Sequence, residues 1–176
     1  TNAVARGLLK LEEAEIRIGS MTYESLALRK VNLKDERFRT SYHFNLDRLM
    51  MSVKKAGLLS PPVVRRTEKS FILVSGWKRV LACRKIGLTR INVLVTEEKN
   101  DLRLFLGAFY ENLASREVGL VEKAEIARKL LGFGLDKETL LRRYLPLLSL
   151  PATAGHLEAL LAIAGAVPTV KEFVRE

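Results

Sequence analysis

A buried apolar run that ends in a glycine and two cations is the part of this chain best suited to hold a charged group. Residues 71–76 read Phe-Ile-Leu-Val-Ser-Gly, and Lys78 and Arg79 follow Gly76 within three positions. A strand, a tight glycine turn and a helix N-terminus together present free backbone N–H groups, and the helix dipole favours an anion there. The pattern predicts a phosphate-binding junction. The alternative is a plain strand-to-helix connection whose lysine and arginine are only solvated.

The elements that must position this junction follow from the spacing of apolar residues. Residues 71–74 predict a buried strand, and Trp77–Ile86 predict a helix that ends before Gly87. The preceding segment Val63–Arg66 predicts a strand that forms a hairpin with the buried one. Ile91–Val95 predict a third strand, so the pattern indicates a compact α/β unit.

The chain before the junction has a less regular pattern, whereas the chain after Asn100 has a helical one. Short strands are predicted near Ile16–Ile18 and Ala27–Val31, and a helix capped by Asn45, with Phe44 and Leu49 as a hydrophobic staple, ends at Gly57. After Asn100 the pattern predicts five helices. The first carries an apolar stripe from Leu102 to Leu113, and the second runs from Glu122 to Leu131. The third is capped by Asp136 and ended by Pro146, the fourth runs from Pro151 or Ala152 to about Ala164, and the fifth begins at Pro168.

Composition and charge narrow the classes of function. The 176 residues suffice for one domain or two small ones, and the single cysteine, Cys83, excludes a disulfide framework and is expected to be a small core residue of a protein in a reducing cytoplasm. No apolar run approaches the ~20 residues of a membrane-spanning helix, so no membrane partner is expected. His43 and His156 are too far apart in sequence to predict a metal cluster, and His156 is expected to cap a helix or lie at the surface.

The net positive charge of the chain lies entirely in its first part. Residues 1–100 carry 20 Lys and Arg against 10 Asp and Glu, whereas residues 101–176 carry 10 against 10. This asymmetry indicates that the first part meets phosphate, from a nucleotide or a nucleic acid. A generic basic surface is the alternative. The chain starts Thr-Asn-Ala and ends within a helical pattern, which suggests a fragment of a longer protein.

Several short motifs, in a fixed order, carry a family resemblance. They are Gly57-Leu58-Leu59-Ser60-Pro61-Pro62, Ser75-Gly76-Trp77-Lys78-Arg79, Gly87-Leu88, Glu111-Asn112-Leu113 and Val121-Glu122-Lys123-Ala124. Over roughly residues 26–135 the chain resembles the N-terminal part of ParB-type chromosome and plasmid partition proteins.

The resemblance implies a fold and a function. The fold is α+β: a small mixed-sheet, ParB/sulfiredoxin-like nucleotide-binding domain over residues 14–99, then an all-helical region over 100–176 with a degenerate helix-turn-helix, truncated at its C-terminus. The function is that of a cytoplasmic, nucleoid-associated homodimer that binds CTP with Mg²⁺ and couples this nucleotide to closure of a clamp on DNA.

The same resemblance assigns candidate site residues. Gly76 matches the glycine of the family's Gly-Glu-Arg-Arg box, and Lys78 and Arg79 match its arginines, as phosphate-binding residues. Glu111 and Asn112 match the Glu-Asn-Leu box, with Glu111 as the Mg²⁺-supporting and candidate catalytic acid and Asn112 beside the phosphates.

Other positions match less closely. Arg39 lies, with Arg37, where the family has a Gln-Pro-Arg loop that reaches the nucleotide, and Arg116 stands one step beyond the expected arginine. Trp77 replaces the glutamate of the box and is expected to pack on the sheet. In the helical region Arg142 and Arg143 are the candidates for contact with a DNA backbone, because the expected recognition helix is largely apolar.

Three readings of different classes stay open. The first is the nucleotide-binding partition module, with or without weak CTP hydrolysis. The second is an enzyme, either a nuclease, for which only Glu111 is a candidate acid, or a sulfiredoxin-like ATPase, for which a cysteine is expected where Trp77 stands. The third is an interaction scaffold that keeps the fold without the ligand and dimerises through its apolar C-terminal helices.

Overall fold

The chain folds into two compact units of different architecture. The computed structural model describes residues 18–40, 45–115 and 117–173. Of these, residues 18–39 and 45–100 form the sheet unit, and residues 101–115 and 117–173 form the helical unit. The architecture is α+β, as the sequence predicts. Among the described residues, no helix combines the length and apolar character needed to cross a membrane.

The sheet unit is built on one mixed sheet. Its described elements are β1 (Met21–Ala27), a 3₁₀ turn (Leu28–Lys30), β2 (Val31–Asn32), α1 (Asp47–Ala56), β3 (Val63–Arg66), β4 (Phe71–Ser75), α2 (Trp77–Lys85) and β5 (Arg90–Thr96). The strand order is β1-β5-β3-β4-β2. The β1/β5 and β3/β4 pairs are antiparallel, and the β3/β5 and β2/β4 pairs are parallel. The predicted β3–β4 hairpin is therefore confirmed.

The sheet is curled so that its two edge strands approach each other. Only the three residues Leu28–Lys30 separate β1 from β2, which lie at opposite edges. From Ala27 to Val31 the chain spans at most about 15 Å, because consecutive Cα atoms are ~3.8 Å apart. A flat sheet with strands ~4.8 Å apart would separate these edges by about 19 Å. The strands must therefore wrap around the core.

The core of the sheet unit gathers the apolar residues of β4 and α2. Every residue of β4 is buried, which confirms the predicted buried strand. Trp77, Val80 and Cys83, on one side of α2, belong to the same buried cluster as Leu73. Trp77 thus packs on the sheet, as expected. Cys83 is the predicted core residue, and its burial raises the pKa of its thiol.

The apolar pattern places the second predicted strand wrongly. The segment predicted as a strand near Ala27–Val31 is mostly the 3₁₀ turn, and the strand lies before it, as β1. The reason is that Leu28 and Val31 are both buried although the backbone between them turns. Ile18 lies outside any strand, and Ile16 and Phe44 lie outside the described residues.

Helix α1 ends where the sequence predicts and begins one residue later, because Leu46 and not Asn45 is its N-cap. The Asp47 N–H donates to Asn45 Oδ1 at 3.0 Å, so the Asn45 side chain closes the first turn. The helix ends at Gly57, whose φ of 74° is in the region that only glycine adopts readily.

The helical unit packs through aromatic rings and leucines. Its described helices are α3 (Asp101–Ser115), α4 (Leu120–Gly132), α5 (residues 137–147, made of Lys137–Thr139, a π-helical stretch Leu140–Tyr144 and Leu145–Leu147) and α6 (Ala154–Phe173). Phe105 lies 5.2 Å from Phe133 and Phe109 lies 5.9 Å from Tyr144, between ring centroids. These contacts hold α3 against the segments that follow it.

Two prolines that predict helix boundaries lie inside helices instead. The sequence predicts that Pro146 ends its helix, and α5 continues one residue further, to Leu147. The Leu145 N–H donates to Leu140 O, a widened π-helical turn that accommodates the ring of the next residue. Pro168 was predicted to open a new helix, but α6 runs through it to Phe173. Proline inside a helix removes one backbone bond and crowds the preceding turn, and α6 nevertheless continues, with Leu157, Leu160 and Ala164 buried before Pro168.

The cap of α5 gives a testable contribution to stability. Asp136 accepts from the Thr139 N–H at 2.9 Å and from the Thr139 hydroxyl at 2.8 Å, and these bonds lower the pKa of Asp136. Because the folded pKa is depressed, the stabilisation is present at neutral pH and is lost as pH falls from about 3.8 towards the folded pKa. Asp136→Ala is expected to lower the free energy of unfolding by about 1 kcal/mol at pH 7.

Urea unfolding at several pH values measures this effect. The difference between Asp136→Ala and the parent protein should shrink in acid. Asp136→Asn is the matched control, because asparagine caps nearly as well but does not titrate. A difference between parent and Asp136→Ala that is independent of pH would contradict the ionic part of the argument.

Candidate functional site

The junction between β4 and α2 has the geometry expected of an anion site. Gly76 is the N-cap of α2 and adopts a φ of 91°. The first backbone bond of the helix runs from the Val80 N–H to Gly76 O at 3.0 Å. The amides of Trp77, Lys78 and Arg79 therefore precede the intrahelical ladder, which is where a helix presents its positive end.

Contacts within the protein require a glycine at position 76. A Cβ at this position would lie 2.7 Å from Pro62 Cβ and 3.0 Å from Pro62 Cα. Pro62 is held in place because its carbonyl accepts from the Leu94 N–H at 2.9 Å. A close approach is thus present at Gly76, between this glycine and the segment that leads into β3.

Arg79 connects α2 to that same segment. Its Nη1 donates to Ser60 O at 3.2 Å, Ser60 Oγ at 2.7 Å and Pro61 O at 3.2 Å. Sequence reasoning did not identify Ser60 and Pro61 as partners, because two of the three acceptors are backbone oxygens that any residue offers. Arg79 therefore fixes the loop beside the helix N-terminus and also carries positive charge there.

Arg39 is brought to the same junction. Its guanidinium carbon lies 4.9 Å from the centre of the Trp77 ring, and Nη1 forms an ion pair with Glu36 at 2.5 Å. A cation over an indole face is attracted by the ring quadrupole. The structure therefore brings Arg39 to Gly76, Trp77 and Arg79, although Arg39 lies far from them in sequence.

Arg37 takes a different partner. It forms hydrogen bonds and an ion pair with Asp35. Partial burial would raise the pKa of Asp35, but the bonds from Arg37 outweigh burial and lower it. The 35–39 segment is thus held by two local ion pairs, Arg37 with Asp35 and Arg39 with Glu36.

Two buried polar atoms flank Gly76 without a hydrogen-bond partner among the described residues. They are Ser75 Oγ and Trp77 Nε1, on side chains that are 5% and 8% exposed. An unsatisfied buried donor or acceptor costs about 1–3 kcal/mol, so folded proteins rarely leave one. Neither atom was singled out by sequence reasoning, because burial of a polar end is not visible in a sequence.

Glu111 and Asn112 belong to the helical unit, in the last turns of α3. Asn112 Nδ2 donates to Ala108 O at 2.9 Å, and Glu111 is exposed. In the described part of the chain no cluster of three or more His, Cys, Asp or Glu assembles a metal site. The approach of these residues to Gly76 stays a prediction, and Arg116 lies outside the described residues.

The candidate DNA-contacting residues lie on the π-helical stretch of α5. Arg142 is exposed and pairs with Glu138 at 3.0 Å. Arg143 lies over the Tyr144 ring at 6.0 Å. Near the start of α6, Thr153 Oγ1 accepts from the His156 N–H at 3.3 Å and is hydrogen-bonded to His156 Nδ1 at 2.7 Å, so Thr153 is the capping residue. His156 lies at the surface, which was one of its two predicted placements.

Comparison with known proteins gives chromosome-partitioning proteins and nucleoid occlusion proteins among the relatives of this chain. The chain is 32% identical over 140 residues to the chromosome-partitioning protein Spo0J of Thermus thermophilus, covering 68% of this chain and 52% of that protein. It is 29% identical over 164 residues to the stage 0 sporulation protein J of Bacillus subtilis, covering 89% of this chain and 56% of that protein. The chain thus spans about half the length of these curated relatives.

A solved structure and a family model agree with these relatives. The sheet-and-helix fold resembles a Pnob8-like ParB-N domain, with a TM-score of 0.53, 17% identity, and coverage of 64% of this chain and 46% of that one. The family described as ParB N-terminal domain matches residues 12–113, more than half of the chain. By that match, this chain belongs to the ParB N-terminal domain family.

Proposed function

We propose that the sheet unit binds a nucleoside triphosphate at the β4–α2 junction and that binding is coupled to homodimerisation and clamping on DNA. CTP is the nucleotide that the family resemblance implies. Membership of the family and the chromosome-partitioning relatives support this assignment. The protein would act in the cytoplasm, at the nucleoid. Because the chain spans about half of its relatives, coupling to DNA is proposed for the whole protein.

The proposal rests on two buried polar atoms beside Gly76 that have no hydrogen-bond partner among the described residues. Ser75 Oγ and Trp77 Nε1 are buried beside the positive end of α2. A phosphate or ribose group would supply the acceptors and donors that these atoms lack, and the N-terminal amides of α2 would add further donors.

Each candidate residue then has a definite part. Lys78, Arg79 and Arg39 would neutralise the phosphates, and Arg79 would also hold the loop that borders them. Glu111 and Asn112, with Arg116, would approach from the helical unit.

The donor set at Glu111 fits Mg²⁺ held jointly with a nucleotide. Mg²⁺ commonly takes one or two carboxylates together with substrate phosphates, and Glu111 is a single exposed carboxylate. The ion would screen charge on the triphosphate.

DNA contact by Arg142 and Arg143 is the remaining part of the proposal. Both residues lie on α5, and Arg142 is exposed. Cations of this kind contact phosphates without reading bases. Their contribution would therefore be independent of DNA sequence and would weaken as salt is raised.

Calorimetric titration tests nucleotide binding. The parent chain is titrated with CTP, ATP, GTP and UTP in Mg²⁺, with and without DNA. We expect saturable binding with a preference for CTP. Lys78→Gln, which removes a cation at the positive end of α2, is expected to weaken binding about tenfold. Lys85→Gln is the matched control, because it removes the same charge at the other end of the same helix.

An interaction scaffold without ligand is the second candidate. The contacts that Arg79 makes with Ser60 and Pro61 favour it, since they use that side chain within the protein. Flat traces for all four nucleotides would support the scaffold and overturn nucleotide binding. Equal loss of affinity in Lys78→Gln and Lys85→Gln would contradict the assigned site.

A further inference from the structure

A cleft lies in the sheet unit, at the C-terminal end of α2. Its volume is about 630 Å³, within the range of sites that bind ligands. The residues that border it are Ala27, Leu28, Arg29, Val31, Leu33, Arg84, Leu88, Thr89 and Arg90. Helix α2 has 9 residues, so its two ends are about 13 Å apart along the axis. The cleft is therefore separate from the Gly76 junction.

The rim of the cleft is cationic. Arg29, Arg84 and Arg90 border it, and no acidic residue is among the described residues that line it. Arg29 and Arg84 are exposed and form no ion pair with any residue that the structure describes. Arg90 is held in position because its Nη2 donates to Ser25 O at 2.8 Å. Three guanidinium groups thus surround one recess without a compensating charge at its border.

The floor of the cleft is aliphatic. Leu28 and Val31 are buried core residues that reach its lining, and Leu33 packs against the same core. Leu88 is 39% exposed, a large fraction for a leucine that lines a recess. No aromatic side chain borders the cleft among the described residues. An aliphatic floor within a cationic rim suits a ligand that is apolar at one point and negatively charged around it.

The backbone holds the walls of the cleft in place. After α2, the Leu88 N–H donates to Cys83 O at 3.0 Å and the Gly87 N–H donates to Arg84 O at 3.1 Å. These two bonds and the φ of 81° at Gly87 form a Schellman cap. On the opposite wall the Leu28 N–H donates to Thr89 O at 2.9 Å. The recess therefore exists before any ligand arrives.

We propose that this cleft binds an acidic peptide segment of a partner protein, with an aliphatic side chain between carboxylates. The aliphatic side chain would cover Leu28 and Leu88, and the carboxylates would pair with Arg29, Arg84 and Arg90. Arginine is well suited to bidentate contacts with carboxylates. A nucleic acid fits less well, because its phosphates offer nothing to the aliphatic floor and the lining offers no ring for base stacking.

Fluorescence anisotropy with the peptide Asp-Asp-Leu-Asp-Asp tests the proposal on the whole chain. We expect saturable binding that weakens as salt is raised, because the contacts are exposed ion pairs. Replacing the aspartates by asparagines, or the leucine by serine, should each weaken binding at least about fivefold. In amide NMR spectra the peptide should shift the signals of Leu28, Leu88 and Thr89.

Variants locate the binding to the cleft. The double variant Arg29→Gln with Arg84→Gln is expected to weaken peptide binding at least about tenfold. Arg48→Gln is the matched control, because Arg48 is an exposed arginine of α1 that does not line the cleft. Amide spectra of the double variant that are unchanged in the rest of the sheet unit would show that its loss of affinity is not caused by unfolding.

Three results would overturn the proposal. The first is absence of peptide binding, and the second is equal binding of the asparagine peptide. The third is a DNA duplex that displaces the peptide and whose own affinity falls in the double variant, since this would assign the cleft to nucleic acid. Nucleotide titrations report on the Gly76 junction, so failure of one proposal leaves the other standing.

Discussion

Gly76→Ala is expected to destabilise the sheet unit by about 2–5 kcal/mol, enough to unfold a marginally stable domain. Two separate strains combine. The φ of 91° costs an alanine about 1–2 kcal/mol. The new Cβ would also lie 2.7 Å from Pro62 Cβ and 3.0 Å from Pro62 Cα. Pro62 cannot retreat without breaking the bond that its carbonyl accepts from Leu94.

Gly87→Ala is the matched control for this prediction. Gly87 has a similar φ of 81°, but a Cβ there would meet nothing within 4 Å. Gly87→Ala should therefore lower the free energy of unfolding only by the cost of a positive φ, about 1–2 kcal/mol. Urea unfolding of both variants measures the difference. If Gly76→Ala were no less stable than Gly87→Ala, the contact with Pro62 would not be the constraint that makes glycine necessary.

The elements around Gly76 could be predicted because each has a strong local signal. The apolar run of β4, the hairpin with β3 and the glycine at each end of α2 determine the backbone there almost alone. The elements predicted wrongly have conflicting signals. The apolar residues Leu28 and Val31 resemble a strand, but the sheet must curl between β1 and β2.

Proline misled the prediction of the helical unit for a related reason. Pro146 and Pro168 are local signals for a helix boundary, but packing decides whether a helix continues. Leu145 and Leu148 are fully or almost fully buried around Pro146, and Leu160 and Ala164 are buried in the turns before Pro168. Tertiary contacts of this kind are not present in a local pattern, so the pattern predicts a boundary at Pro168 where none exists and ends α5 one residue early, at Pro146 instead of Leu147.

The candidate site was predicted in its charges but not in its contacts. Lys78 and Arg79 are visible as cations after a glycine, and Arg39 was reached through the family resemblance. The stacking of Arg39 on Trp77 and the bonds from Arg79 to the 60–61 carbonyls depend on the folded chain. Every residue has a backbone carbonyl, so the sequence does not show which carbonyls accept a hydrogen bond from a given side chain.

Arg79→Ala is expected to lower the free energy of unfolding of the sheet unit by about 2–3 kcal/mol, in the absence of any nucleotide. The substitution removes a charged donor from Ser60 O, Ser60 Oγ and Pro61 O. The three bonds share one nitrogen and are not independent, so their energies are not summed. The loop before β3 would lose its attachment to α2, and its amides should exchange with solvent faster.

Graded variants separate this structural part from a phosphate-binding part. Ser60→Ala removes only the hydroxyl acceptor and should lower the free energy of unfolding by about 0.5–1 kcal/mol. Arg79→Lys keeps the positive charge but loses the planar donor group, so it should fall between Ser60→Ala and Arg79→Ala. Urea unfolding and amide exchange without nucleotide measure all three.

The order of these effects decides what Arg79 does. If Arg79 holds the loop, the free energy of unfolding decreases from Ser60→Ala to Arg79→Lys to Arg79→Ala. Nucleotide affinity then decreases in the same order, because the loop that borders the site becomes less firmly held. If it served only to neutralise phosphate, stability without nucleotide would be unchanged in all three variants. In that case Arg79→Lys would retain most of the affinity. The structure predicts the first result, since the donor is already engaged by the chain before any phosphate is present.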